Sequence, residues 1–346
     1  VSIFDPRNER IIPHQDIVIE NERFTEICET GSLQHGNVDE RIHGVGLTAI
    51  PGLINLHVHL CLDASADPYT SLCTATEEKI LLRMVVNARK TLNGGITTVR
   101  DLGAPGRLIF ELRAAIEEGL IIGPRIIAAG NLITRTGGHG ARMGVEADGE
   151  SGVRHAIRMQ LSRGADALKI MATGGVITPG TSPYLAAYSL KELQAAVDEA
   201  RRENVPIAAH AQGLPGIENC VKAGVDTIEH CTFIDDRIAS EMAARGIVWV
   251  PTLSPHRFVA AQRKRGTVRF PLSGQELPLR AVRERIPRGK CISQDALERF
   301  QRFCMTKDLR IGIGTDAGVS FTPHDDLVTE MEMFVEYGFE PSQVLR

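Results

Sequence analysis

The stretch Pro51-Gly52-Leu53-Ile54-Asn55-Leu56-His57-Val58-His59-Leu60 reads as a turn followed at once by an apolar strand that carries two histidines two residues apart. Residues i and i+2 of a strand face the same side, so both imidazoles can reach one metal ion. Alone, a His-x-His pair is as often structural as chemical, and its surroundings decide. After this first strand, over Gly52–His59, further short apolar runs follow at Ile96–Asp101, Arg125–Ala129, Ala167–Ala172, Pro206–His210, Thr227–His230, Ile247–Pro251 and Ile311–Asp316. Helical periodicity fills the intervals, around 77–93, 107–118, 151–163, 189–204, 214–223, 235–245 and 291–308, with another pattern at Asp325–Tyr337. Ser189 with Glu192 is a capping-box start for one of these helices. Strands alternating with helices in this number predict an α/β fold, a (β/α)₈ TIM barrel over residues 51–346, rather than an open doubly wound sheet.

Before Pro51 the pattern differs. Short runs such as Ile17-Val18-Ile19 and Phe24-Thr25-Glu26-Ile27, separated by turn signals at Asn21-Glu22 and Gly31-Ser32, make residues 1–50 a small β region. The whole chain of 346 residues carries a formal charge of −4 and is 43% hydrophobic but only 5% aromatic. That balance argues against a nucleic-acid protein, which wants a basic surface and stacking rings, and against disorder. Charges or glycines interrupt every apolar run well short of the roughly 20 residues of a membrane helix, which predicts a soluble protein. Seven cysteines, Cys28, Cys61, Cys73, Cys220, Cys231, Cys291 and Cys304, form no Cys-x-x-Cys pair; an odd, unpaired set reads as reduced thiols of a cytoplasmic protein. No signal peptide is visible, although a chain that starts at Val1 could have lost a short leader. One connection is long: Pro251 to Cys291 holds Arg257, Arg263, Lys264, Arg265, Arg280, Arg283, Arg285 and Arg288, and reads either as a functional lid or as a solvated helical face.

The candidate chemistry gathers at strand ends. His210 closes the fifth strand, His230 the sixth and Asp316 the eighth, while Lys169 lies inside the fourth in the apolar run Ala167-Leu168-Lys169-Ile170-Met171. In a barrel all of these converge on the C-terminal rim, where barrel enzymes place their active sites. A buried lysine needs a reason, either a salt bridge to a neighbouring acid or a neutral amine. A neutral amine reacts with carbon dioxide to give a carbamate, an anionic ligand able to bridge two metals.

As an ordered set, these motifs resemble the amidohydrolase superfamily, in the branch of imidazolonepropionase-like proteins and metal-dependent Xaa-Pro and Xaa-Arg dipeptidases. The resemblance covers nearly the whole chain: the β region, Pro51 to Leu60, Thr97-Thr98-Val99-Arg100-Asp101, Gly137-Gly138-His139-Gly140, Leu168-Lys169-Ile170, Ala209-His210-Ala211, Thr227-Ile228-Glu229-His230 and Gly314-Thr315-Asp316. It implies that residues 1–50 are the N-terminal portion of a small β-sandwich, and that His57, His59 and Asp316 bind one divalent metal and His210 and His230 a second. Lys169 as N6-carboxylysine would bridge them. Zinc is the expected metal, although Mn, Co or Fe suit the same ligands. Such a pair of metals holds a bridging hydroxide and polarises a carbonyl, with Asp316 as general base and then general acid. The resemblance gives His139, in a Gly-rich loop, an oxyanion contact with the substrate. Arg135 and Arg142, flanking that loop, are candidates for holding a terminal carboxylate. Arg100 and Asp101 are expected to form a structural pair under the site, and Glu229 to point to the side of its strand opposite His230, as a supporting acid.

Two departures stand out. Gln212 occupies the position, two residues after the fifth-strand histidine, where some Xaa-Pro dipeptidases of this type carry Tyr. The family also closes its sandwich with strands from beyond the barrel, and here Arg346 follows soon after the eighth strand: either the sequence is incomplete or the sandwich lacks its C-terminal half, and only in a complete chain would strands within 1–50 expose unpaired edges. The expected function is a binuclear metal hydrolase of a dipeptide or N-acyl amino acid, a small-molecule enzyme and homo-oligomer without nucleic-acid or membrane partners. Two alternatives stay open: a hydrolase of a cyclic amide or lactone, which in imidazolonepropionases uses one metal and no bridging lysine, and a non-catalytic barrel scaffold.

Overall fold

The computed structural model describes residues 1–32, 39–265, 267–269, 276–278 and 292–346. Two compact units divide the chain: Val1–Leu53 with Phe334–Arg346, and Ile54–Met333. The first unit holds strands β1 (Ser2–Asp5), β2 (Arg10–Ile12), β3 (Gln15–Glu20), β4 (Arg23–Glu29) and β5 (Thr48–Ala49). They form two small sheets, β2-β1-β5 and the hairpin β3-β4. The hairpin turns at Asn21 (φ 49°) and Glu22 (φ 61°), both left-handed, as a two-residue loop between right-twisted strands requires. Asn21 tolerates that backbone better than most residues, which is why the turn was legible.

The second unit is an α/β assembly. Its strands are β6 (Leu53–Val58, entering from the first unit), β7 (Ile96–Asp101), β8 (Arg125–Ala128), β9 (Leu132–Thr134), β10 (Gly144–Glu146), β11 (Leu168–Met171), β12 (Ile207–Ala211), β13 (Thr227–His230) and β14 (Val248–Val250). They lie in the orders β6-β7-β8 and β10-β9-β11-β12-β13-β14, and β11 through β14 pair in parallel throughout. Helices α1 (Pro68–Cys73), α2 (Glu77–Asn93), α3 (Leu108–Glu117), α4 (Gly149–Ser162), α5 (Leu190–Arg202), α6 (Leu214–Ala223) and α7 (Asp236–Arg245) connect them. The helix periods read from the sequence recur within a few residues, and α5 starts with the Ser189–Glu192 capping box.

Two differences from the sequence reading matter for the site. The Gly-rich segment after β8 contains the short parallel pair β9 and β10, too brief to show an alternating pattern. The expected strand over Ile311–Asp316 is not a regular strand. It meets β14 and β6 through single parallel bridges, Trp249 with Ile311 and Val58 with Ala317. Backbone bonds still join it to both sides: Gly312 N–H to Trp249 O at 2.8 Å, Leu56 N–H to Ile313 O at 3.0 Å and Asp316 N–H to His57 O at 2.8 Å. The glycines explain the irregularity, because they let backbone come closer to neighbouring side chains than a Cβ would allow. A Cβ on Gly314 would lie 2.7 Å from Val250 Cγ1 and 2.9 Å from His57 Cβ.

Among the described residues, no helix is long and apolar enough to cross a membrane. The six described cysteines are free thiols, four of them buried; Cys291 lies outside the described residues. So does most of the Arg-rich connection, including Arg280, Arg283, Arg285 and Arg288, while Arg263, Lys264 and Arg265 end helix α8 (Ser254–Arg265). The packing at Gly314 leads to a stability test. Gly314→Ala should overpack the seam beside His57 at a cost of about 1–3 kcal/mol. Chemical denaturation read by tryptophan fluorescence should show an earlier midpoint; a midpoint equal to that of the parent would mean the seam has room for a methyl group.

Candidate active site

Regular alternation explains the first residues of the site. Asn55, His57 and His59 alternate along β6 and its end, Lys169 and Met171 along β11, and Ala208 and His210 along β12, so each set faces one side. Imidazole rings then gather in T-shaped and tilted pairs: His57 and His59 centroids are 5.3 Å apart, His57 and His230 5.1 Å, His210 and His230 4.7 Å, and His139 and His210 4.9 Å. Asp316 Oδ1 lies 3.4 Å from His57 Nε2 and 3.5 Å from His59 Nε2. His57, His230 and Asp316 each offer a ligand atom within 4.8 Å of the others, a spacing that could hold a metal ion. All of these side chains, with Lys169, His139 and His210, line one cavity of about 220 Å³ whose remaining wall is largely apolar, including Leu132, Met143, Met171 and Phe321.

His230 reaches this cluster by breaking the alternation. In β13 Thr227 and Glu229 share a face, joined by a hydrogen bond, so a regular strand would send His230 to the other side. Its φ of 70° is left-handed and turns the ring back inward. Cys231 (φ 52°), Thr252 (φ 52°) and Asp316 (φ 55°) repeat that backbone at or just past the neighbouring strand ends. Non-glycine residues held there store strain, and such residues cluster at functional sites. The expectation that Glu229 lies opposite His230 is corrected, since both reach the cluster, whereas its expected part as a supporting acid is what the structure has: Glu229 Oε2 accepts His57 Nδ1–H at 2.8 Å. The expected Arg100–Asp101 pair is corrected as well. Arg100 donates to Glu229 Oε1 at 2.9 Å, to Leu56 O at 2.7 Å and to Thr227 Oγ1 at 3.1 Å, whereas Asp101 accepts the backbone N–H groups of Leu60 and Gly103. Adjacent strand residues point to opposite faces, which separates Arg100 from Asp101.

Proton positions follow from the partners. Burial pushes the pKa values of His57, His210 and His230 well below the usual range and that of His59 down to about 4, so all four are neutral. A neutral imidazole has one N–H and one lone pair. His57 Nδ1 faces a carboxylate, His59 Nδ1 faces Gly103 O at 3.0 Å and His210 Nε2 faces Gly174 O at 3.0 Å; acceptors of this kind fix the proton on those nitrogens. His230 Nδ1 faces Thr252 Oγ1 at 2.7 Å, and that hydroxyl donates its own proton to Pro251 O, so it too accepts. Each ring is left with a lone pair on its other nitrogen. That is the donor set a metal requires.

Lys169 is 1% exposed and its Nζ has no hydrogen-bond partner, so the salt-bridge reading open to it in sequence is not realised. Burial lowers its pKa, against the opposing pull of Glu229 and Asp316. Burial raises that of Asp316, whose Oδ1 is also without a hydrogen bond. His139 is buried, its pKa held down to about 3 by that burial, and its Nδ1 lies 2.9 Å from Thr178 Oγ1. Arg135 is exposed and donates to Thr136 O; neither it nor Arg142 is among the residues lining the cavity. The sequence reading passed over Asn55, which accepts the His57 and Thr315 N–H groups and ties the two strand ends, although its place two residues before His57 signalled the shared face. Thr252 and Thr178 were missed too, and the carbonyls of Gly103 and Gly174 carry no side-chain signal at all.

The amidohydrolase family model matches residues 48–346, and the chain belongs to that family. Ochratoxinase of Aspergillus niger is 31% identical over 315 residues, covering 84% of this chain and 61% of that protein, so the chain spans less than two thirds of the relative's length. Among solved structures, a Xaa-Pro dipeptidase with methionine bound in its active site superposes with a TM-score of 0.82 at 28% identity, covering 99% of this chain and 84% of that one. A prolidase complexed with N-methylphosphonate-L-proline superposes with a TM-score of 0.80 at 27% identity, covering 99% and 82%.

Glu229 serves two partners at once, which sets a second test. Glu229→Gln keeps the shape but leaves the nearly buried Arg100 guanidinium without its counter-charge, a change worth about 3–5 kcal/mol. Urea unfolding of the metal-free protein should show that loss. A variant as stable as the parent would make the Arg100–Glu229 pair dispensable.

Proposed function

We propose that this chain is a binuclear metal-dependent hydrolase that cleaves the amide bond of a dipeptide or an N-acyl amino acid. One observation carries the reading: four neutral imidazoles with lone pairs turned inward surround a buried amine and a carboxylate oxygen that have no hydrogen-bond partners of their own. Unpaired buried polar atoms are expensive, and metal ions would satisfy them together. On this reading His57, His59 and Asp316 hold one ion, His210 and His230 the other, and Lys169 bridges them as N6-carboxylysine; zinc is the first candidate. The second unit is read as a closed (β/α)₈ barrel, a reading supported by the bonds that residues 310–317 make to both β14 and β6, and the first as part of a β-sandwich. The dipeptidase and the prolidase among the similar structures support an amide substrate.

Divalent metals at such a site polarise the substrate carbonyl and acidify water enough for it to ionise near neutral pH. The chain's own groups then have distinct tasks. Asp316 accepts a proton from the attacking water at its carboxylate and delivers it to the leaving nitrogen, and burial raises its pKa toward the range in which such a shuttle works. His139 donates from Nε2 to the carbonyl oxygen as negative charge develops there. The apolar wall of Leu132, Met143, Met171 and Phe321 receives the substrate's side chain and excludes water. Of the two arginines expected to meet a terminal carboxylate, we retain Arg142, half-buried in the turn Ala141–Met143 beside the cavity-lining Met143.

Elemental analysis of protein produced with added zinc and bicarbonate should approach two ions per chain, with ninhydrin-detected release of amino acid from dipeptide and N-acyl amino-acid libraries. A stable value of one ion, with Lys169 unmodified in the electron density of crystals of the loaded protein, would remove the binuclear reading. Asp316→Asn should lower turnover by about 10²–10⁴, the usual worth of one positioned acid–base group. Activity within a few-fold of the parent at equal metal content would move that task to another residue.

A further inference from the structure

Six histidines line the cavity, and four of them, His57, His59, His210 and His230, are held by groups that accept their ring protons. His139 is held differently. Thr178 Oγ1 already accepts the backbone N–H of Gly140 at 3.1 Å, and the other polar atom on that hydroxyl is His139 Nδ1 at 2.9 Å. A threonine hydroxyl has one proton and two lone pairs; one lone pair takes the Gly140 N–H, and among the described residues His139 Nδ1 is the one acceptor in reach of the proton. Thr178 is itself buried, in a loop that is closed on itself: Thr181 Oγ1 accepts Gly175 N–H and has Gly175 O and Thr178 O, at 3.0 and 2.9 Å, as the acceptors for its one proton. That loop also sets the ring's other edge. A Cβ on Gly175 would stand 2.2 Å from His139 Nε2, so only glycine there leaves the nitrogen its place at the cavity wall.

We propose that Thr178 is a positioning residue which donates to His139 Nδ1 and thereby fixes the His139 proton on Nε2, the tautomer opposite in function to that of the metal-facing rings. The same side chain is thus sorted into two tasks by what its second nitrogen meets. Acceptors leave a lone pair facing the cavity; a donor leaves an N–H facing it. The inference deepens the reading of His139 as donor to the substrate carbonyl and rests on that reading for its consequence in turnover, but not for the tautomer itself. It also assigns the loop from Gly174 to Tyr184 a double part, since Gly174 O holds the His210 proton while Thr178 fixes that of His139.

The test is nitrogen NMR on zinc-loaded protein labelled with ¹⁵N-histidine, with the His139→Gln spectrum identifying the His139 signals. In the parent and in Thr178→Ser, which keeps the hydroxyl, the proton should sit on Nε2. In Thr178→Val, which keeps the shape and loses the hydroxyl, it should redistribute toward Nδ1. Turnover of Thr178→Val should fall about tenfold or more, short of the roughly 10²–10³ lost with an oxyanion donor outright, with KM nearly constant and metal content unchanged. Thr178→Ser should recover most of it. A parent protein with its His139 proton on Nδ1 would overturn the proposal, as would a well-folded Thr178→Val with the parent's tautomer and turnover. If Thr178→Val does not fold, the parent and Thr178→Ser spectra decide alone. Nε2–H in the parent together with unchanged turnover in His139→Ala would uphold the tautomer and reject the donor reading.

Discussion

A buried neutral imidazole presents a lone pair on one nitrogen only when something accepts the proton on the other, and the site is organised around that constraint. The acceptors come from all sides: Glu229 on β13, the Gly103 carbonyl after β7, the Gly174 carbonyl after β11 and Thr252 after β14. Glu229 is fully buried and needs a counter-charge of its own, which Arg100 supplies from β7 while bonding to Leu56 O on β6 and Thr227 on β13. Three strands are thereby tied across the interior beneath the cavity. The wiring is polar, but every link of it is satisfied, which is the condition for a buried network to stabilise rather than cost.

Backbone strain is placed where the side chains must converge. Left-handed backbone at His230, Cys231, Thr252 and Asp316 costs of order 1–3 kcal/mol each, most sharply at Thr252, whose β-branched side chain disfavours it. The hydrogen bonds at the same positions offset it: Thr252 Oγ1 receives the His230 proton, and the buried Trp249 indole donates to His230 O at 2.9 Å. Glu330, buried on the helix Val328–Glu336, accepts the N–H groups of Leu253 and Ser254 at 2.7 and 2.6 Å and so pins the chain just past Thr252. Strained strand ends and rigid supports belong together, because without the supports the strained residues would relax away from the cavity.

Glycine does the complementary work of making room. Gly314 admits β14 and β6 side chains to within contact of its backbone, and Gly175 admits His139. In both places a methyl group would displace an imidazole or the strand that carries it. Close approach of backbone, rather than any turn, is what these two positions require.

The sequence alone determined the order of the longer strands and helices, though not the short pair β9 and β10, because alternation and helical period are local properties of the chain, and it placed His57, His59, His210 and His230 at or near strand ends and Lys169 within a strand. It gave no access to the partners of those residues. Glu229 sits beside His230 in sequence, so the rule of alternating faces set the two on opposite sides, and only the left-handed turn at His230 brings both to His57. Arg100 and Asp101 are neighbours in the chain yet face opposite sides, so proximity in sequence misled. The carbonyls of Gly103 and Gly174 belong to every residue's backbone and carry no signature, and Thr178 and Thr252 act through hydroxyls whose direction is set by loops from other strands. Tertiary structure decided these because a proton's position on an imidazole depends on what lies about 3 Å from its far nitrogen, and that neighbour comes from another strand or loop, tens of residues away along the chain.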